Sequence, residues 1–109
     1  MKKTILLATM ILFSVEASAT YNANMQGELA HVGTYADTDS IYITLKNQPS
    51  SHPACNPSYF VIDASVPLDR RKTMLSRLYL ALASNETVNV GYDNAGNCAD
   101  GYIRVHEIG

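Results

Sequence analysis

The chain of 109 residues has no tryptophan, two phenylalanines and two cysteines, and none of the common catalytic signatures. It contains no Gly-x-Ser-x-Gly, no His-Glu-x-x-His and no glycine-rich phosphate loop, so no nucleophile elbow, zinc-protease helix or nucleotide cradle is encoded. The two cysteines and the dispersed His31, His52 and His106 make no recognised metal-ligand spacing. No apolar run reaches the roughly 20 residues that a helix needs to cross a bilayer. A basic stripe is missing as well. The sole cluster, Arg70-Arg71-Lys72, opens a helical pattern beside Asp69 and is expected to form a solvated helix face. These absences argue against an enzyme, a metal or cofactor protein, a nucleic-acid binder and a membrane-spanning protein.

What is present begins with Met1-Lys2-Lys3, an apolar stretch over 4–15, and Glu16-Ala17-Ser18-Ala19 with small residues at the positions a signal peptidase reads. This pattern predicts a signal peptide over 1–19 and one exported domain over 20–109, secreted or periplasmic. The exported part carries six Lys and Arg against nine Asp and Glu, a formal charge of −3. In an oxidising compartment Cys55 and Cys98 have one intramolecular pairing open to them. The loop it closes is long enough for about 4 kcal/mol of chain-entropy stabilisation.

The element pattern starts with a polar lead over 20–26 and a strand over 27–35 whose alternation is imperfect, leaving its buried face open. Ile41, Ile43 and Leu45 alternate with Tyr42, Thr44 and Lys46, and the turn formers at 36–40 make the two strands a hairpin. Residues 47–58, with three prolines, His52 and Cys55, read as a surface loop. A third strand over 59–63 points Phe60 and Ile62 inward. Ser65 as cap and Pro67 in the first turn announce a helix, with Met74, Leu75, Leu78, Tyr79 and Leu82 on its core stripe. Residues 84–86 end it. A fourth strand over 87–92 buries Val88 and Val90, a polar loop holds Cys98, and a fifth strand runs over 102–108. There Ile108 falls on the face opposite Ile103 and Val105 unless a bulge intervenes.

Three strands, a helix and two strands is the order of an OB-fold, a mainly β, five-stranded barrel with its one helix between strands 3 and 4. A flat α+β sheet with one helix on its face buries the same residues. The barrel is favoured because closure removes exposed sheet edges from a small exported domain.

Chemistry-bearing residues are few. Asp37 and Asp39 fit turn chemistry or weak cation binding, and Asn85-Glu86-Thr87 reads as a helix-to-strand turn. The unusual feature is seven tyrosines, of which Tyr21, Tyr35, Tyr42, Tyr92 and Tyr102 fall near strand ends or on outward faces. A flat apolar ring with a polar tip suits sugar stacking and protein interfaces, and equally the half-covered surface of a small barrel.

The run 55–60, the Leu- and Tyr-rich helix over 72–84, Thr87-Val88-Asn89-Val90 and the late Cys98 resemble small exported bacterial proteins related to the B subunits of subtilase cytotoxin and pertussis-like AB5 toxins. The resemblance implies an OB-fold, a homo-oligomer in the form of a ring-shaped pentamer, and binding of host glycans. In those subunits a serine and an acidic residue leading into the first strand contact sialylated sugar. The corresponding positions are Gln26 and Asn22, whose amides can hydrogen-bond hydroxyls. The candidate ligand-binding residues are therefore Asn22, Gln26, Tyr35 and Tyr42, with a glycan or a protein as ligand. A free-standing envelope protein that binds or inhibits another protein is the alternative.

Overall fold

The computed structural model describes residues 21–109; the expected signal peptide lies outside the described residues. Six strands and one helix follow in the order β1 (Ala23–Thr34), β2 (Ile41–Leu45), β3 (Asn56–Ile62), α1 (Leu68–Ser84), β4 (Thr87–Tyr92), β5 (Cys98–Ala99) and β6 (Tyr102–Ile108). Strand β1 pairs antiparallel with both β2 and β4, β2 with β3, and β4 with β6. The parallel pairing of β3 with β6 closes the ring. The chain is thus a closed five-stranded barrel with its helix between strands 3 and 4, an OB-fold topology. The two-residue β5 attaches to the outer edge of β6 inside what reads from sequence as loop.

Closure depends on bulges. Leu29 faces Leu45 while His31 faces Thr44, so Ala30 is the extra residue. Met25 and Leu29 pack inward before it, and Val32 does so after it. The change of phase explains the imperfect alternation, and the bend lets one strand of 12 residues serve both β4 and β2. A second bulge sits at His106, since Gly91 faces Glu107 while Tyr92 faces Val105. It returns Ile108 to the face of Ile103 and Val105, where it packs on the core. The polar lead is a correction: Ala23 to Gln26 already belong to β1, recruited by the ladder to β4 although Met25 is their one large apolar residue.

Phe60, Ile43, Ile62, Leu78, Ile103, Val88 and Val90 are fully buried in the barrel. Helix α1 closes one side with Leu78 and Ala81, flanked by Met74 and Leu75. Burying a residue such as Leu78 is worth about 1.5–3 kcal/mol. The expected stripe is rotated: Tyr79 and Leu82 are 46% and 40% exposed. The Ser65 cap is also corrected. Pro67 is the N-cap and no side chain makes a capping hydrogen bond. Ser65 instead folds back on Asp63, donating its hydroxyl and, at 3.0 Å, its backbone N–H to the carboxylate. Those bonds, with Arg104 at 3.5 Å, hold the Asp63 carboxyl below the usual carboxylate range. Asn85 ends the helix in the left-handed conformation, and its N–H returns to the Ala81 carbonyl.

Cys55 and Cys98 form a disulfide with Cα atoms 5.6 Å apart, joining the start of β3 to β5. His52 shapes the approach to it. The His52 Nδ1 accepts the N–H groups of Ala54 and Cys55 at 3.1 and 2.9 Å, so Nε2 carries the proton and donates to the Asp93 carbonyl at 2.8 Å.

Candidate functional site

On the outer face of the barrel, neighbouring strands β2, β3 and β6 each place one tyrosine outward, and Tyr35 adds a fourth just beyond β1. Tyr42 stands at the centre, its ring 5.3 Å from Tyr35, 5.3 Å from Tyr59 and 5.7 Å from Tyr102. Tyr59 and Tyr102 close the group at 5.2 Å. All four contacts are edge-on, with interplanar angles of 75° to 87°. Such pairs are worth about 0.5–1.5 kcal/mol each beyond area burial. Between Tyr42 and Arg104 in the sheet register lies Val61, which is fully buried yet outside the barrel's interior cluster. The tyrosines therefore stand over a small apolar layer of their own.

A cleft of about 350 Å³ opens here, lined by Tyr35, Asp37, Thr38, Tyr42 and Tyr59. The strand beside it carries a glycine under two rings. A Cβ on Gly33 would stand 2.6 Å from the His31 Nε2 and 3.1 Å from the Tyr35 hydroxyl, so the absent side chain lets both rings close over the strand.

The polar groups are held from three directions. Tyr42 donates its hydroxyl to the Asp100 Oδ2 at 2.8 Å. That bond, helped by burial and the carboxylate's charge, pushes the phenol up to about 12, so it stays neutral and its oxygen remains an acceptor. Asp100 and Gly101 form the two-residue turn between β5 and β6, at φ 53° and 85°, the backbone that Asp-Gly favours in hairpins. The disulfide anchors that hairpin to β3. On the opposite rim, Thr38 accepts the Ser40 N–H at 3.1 Å and keeps its own O–H free to donate.

The helix holds the rim loop. Arg71 donates Nε to the Val66 carbonyl at 2.8 Å and Nη1 to the Asp39 carbonyl at 3.2 Å. Its side chain is 14% exposed, which corrects its expected place on a solvated face. Asp39 is thereby turned toward the helix, with Arg71 Nη2 at 4.0 Å, whereas Asp37 lines the cleft and joins no ion pair among the described residues.

Of the four candidates from sequence, Tyr35 and Tyr42 are brought together here. Asn22 and Gln26 stand apart, at the β4 side of β1 before the Ala30 bulge. Asn22 accepts the Asn94 N–H at 3.0 Å through its side chain, and Gln26 is exposed with its carbonyl accepting from Asn47. Tyr59, Asp100 and Arg71 are contributors that sequence reasoning missed, although Asp100-Gly101 carried a hairpin signal. Tyr92 is not outward: its ring meets Phe60 at 5.4 Å and packs on the core. Tyr21 stacks on His106 at 5.7 Å.

A second cleft of about 300 Å³ lies between α1 and β6, with Arg70, Arg104 and His106 in its wall. Its charge is largely committed, because Arg104 reaches Asp63, Asn97 and the Cys98 carbonyl. Burial and the Arg104 guanidinium hold the His106 imidazole below its ordinary value. Among the described residues no three His, Cys, Asp or Glu side chains converge as a metal site, and no helix is long and apolar enough to cross a membrane. Comparison of the chain with protein-family models, with curated proteins and with solved structures finds no match.

Proposed function

We propose that this protein is an exported, non-enzymatic binding module, secreted or periplasmic, that holds a saccharide in the tyrosine cleft, in the manner of a toxin B subunit. The observation that carries this reading is a cluster of four tyrosines, three of which, Tyr35, Tyr42 and Tyr59, line one outward cleft beside an Asp and a Thr. Ring faces pack on the apolar C–H surface of a sugar, and fixed acceptors and donors at the rim match its hydroxyls. No step of bond making is assigned to it, and it needs no cofactor. A glycan array is expected to give a restricted set of binders whose signal is lost with Tyr35→Ala. A blank array, or hits indifferent to Tyr35→Ala, would sink the proposal.

A protein partner is the second reading, favoured by the helix. Leu68, Tyr79, Leu80 and Leu82 leave 40% to 61% of their surface exposed on α1. Exposed apolar groups at this density mark contacts with other chains. A pentamer in light scattering would join the two readings into the toxin-like arrangement, in which several clefts act together. A monomer would leave the helix face to an envelope protein and favour the free-standing binder or inhibitor.

A further inference from the structure

We infer that the cleft takes a positively charged amine, so that among saccharides it selects amino sugars over neutral and acidic ones. The inference rests on the cleft being the saccharide site and adds the charge of what enters it.

Three observations point the same way. The walls are aromatic and set square to one another: Tyr35 and Tyr59 stand at 86° and 85° to Tyr42, so a bound group meets more than one ring. Phenol rings attract cations through their negative faces, and a corner of such rings is a recurring receptor for ammonium groups. The carboxylates divide by role. Asp39 is turned to Arg71 and Asp100 is bonded by Tyr42, while Asp37 lines the cleft and joins no ion pair among the described residues. Finally, no Lys or Arg lines the cleft: Arg71 is directed at the backbone of the rim loop, and Arg104, on the neighbouring part of the sheet, is engaged by Asp63, Asn97 and the Cys98 carbonyl.

For a neutral sugar, an unpaired Asp37 offers acceptors but loses hydration with no charge to replace it. An acidic sugar meets repulsion from Asp37 and Asp100 together. An ammonium group satisfies Asp37 and the rings at once. The combined gain of an exposed ion pair and a cation over aromatic faces corresponds to about tenfold in affinity. It should shrink as salt is raised.

The test is calorimetric titration of the protein with triglucosamine, tri-N-acetylglucosamine and trigalacturonate at about pH 6, where a sugar amine is charged. We expect triglucosamine to bind about tenfold tighter than its acetylated twin and trigalacturonate to bind weakest. Asp37→Asn should bring the three to within about threefold. Equal affinity for triglucosamine and tri-N-acetylglucosamine, or an order unchanged by Asp37→Asn, overturns the amine inference and leaves the saccharide reading standing. Failure of triglucosamine to bind while a neutral array sugar does has the same meaning. Failure of every saccharide overturns both.

Discussion

The double variant Cys55→Ala, Cys98→Ala is expected to lose about 4 kcal/mol of folding stability, because the disulfide closes a loop of 43 residues in the unfolded chain. For a domain of this size that is roughly a 15–30 °C fall in melting temperature, and a large share of its net stability. Denaturant unfolding by circular dichroism measures it. A loss below about 1 kcal/mol would show that the barrel closes without the staple. The effect should also reach the ligand. Cys98 lies in β5, and the Asp100-Gly101 turn follows directly, so the bond fixes the hairpin from which Asp100 holds Tyr42. Weaker saccharide binding at a temperature where the variant is still folded is therefore part of the expected result.

Replacing Tyr42 by alanine should remove binding, and replacing it by phenylalanine should not. Alanine deletes the ring that touches Tyr35, Tyr59 and Tyr102, breaks the bond to Asp100 and uncovers Val61. A stability loss of about 3 kcal/mol and a fall in affinity of at least about thirtyfold follow for a residue at the centre of the contact surface. Phenylalanine keeps the wall and loses one exposed hydrogen bond, worth about 1 kcal/mol. Its affinity should stay within about tenfold of the parent. If both variants bind equally well, the ring is surface cover and the cleft holds nothing.

Much of this fold is legible along the chain where local chemistry and tertiary demand agree. Ile41, Ile43 and Leu45 alternate because β2 has one buried face, and Pro67 marks a helix start that nothing nearby contests. Cys55 and Cys98 could pair only with each other, and the barrel brings them together. The failures have a common origin in contacts between distant segments. The polar start of β1, Ala23 to Gln26, becomes a strand through β4, more than sixty positions later. Helical spacing put Tyr79 and Leu82 on the core stripe, but the barrel meets α1 through Leu78 and Ala81, and a small alanine wins where the helix approaches closely. Ser65 looked like a cap, yet Asp63 competes for it one turn earlier.

The site divides in the same way. Tyr35 and Tyr42 stood out from the unusual aromatic composition and from strand phase. Tyr59 is equally outward, but its partners Tyr42 and Tyr102 are neighbours only after β3 pairs with β2 on one side and β6 on the other. Arg71 belonged to a basic cluster whose other members are exposed, and only the packing of the helix start against residues 36–40 separates it. The two aspartates of that loop are alike in sequence and unlike in place, one facing the helix and one the cleft.

Asn22 and Gln26 offer a built-in control, since they are the positions expected from sequence to contact sugar in the toxin-like reading, and the tyrosine cleft lies elsewhere on the barrel. The most direct measurement is a two-dimensional NMR titration, with the tyrosine rings and backbone amides assigned, using the saccharide that gives the strongest array signal. Shifts concentrated on Tyr35, Asp37, Thr38, Tyr42 and Tyr59 are the predicted result. Shifts centred on Asn22 and Gln26, with the four clustered tyrosines unmoved, would contradict it.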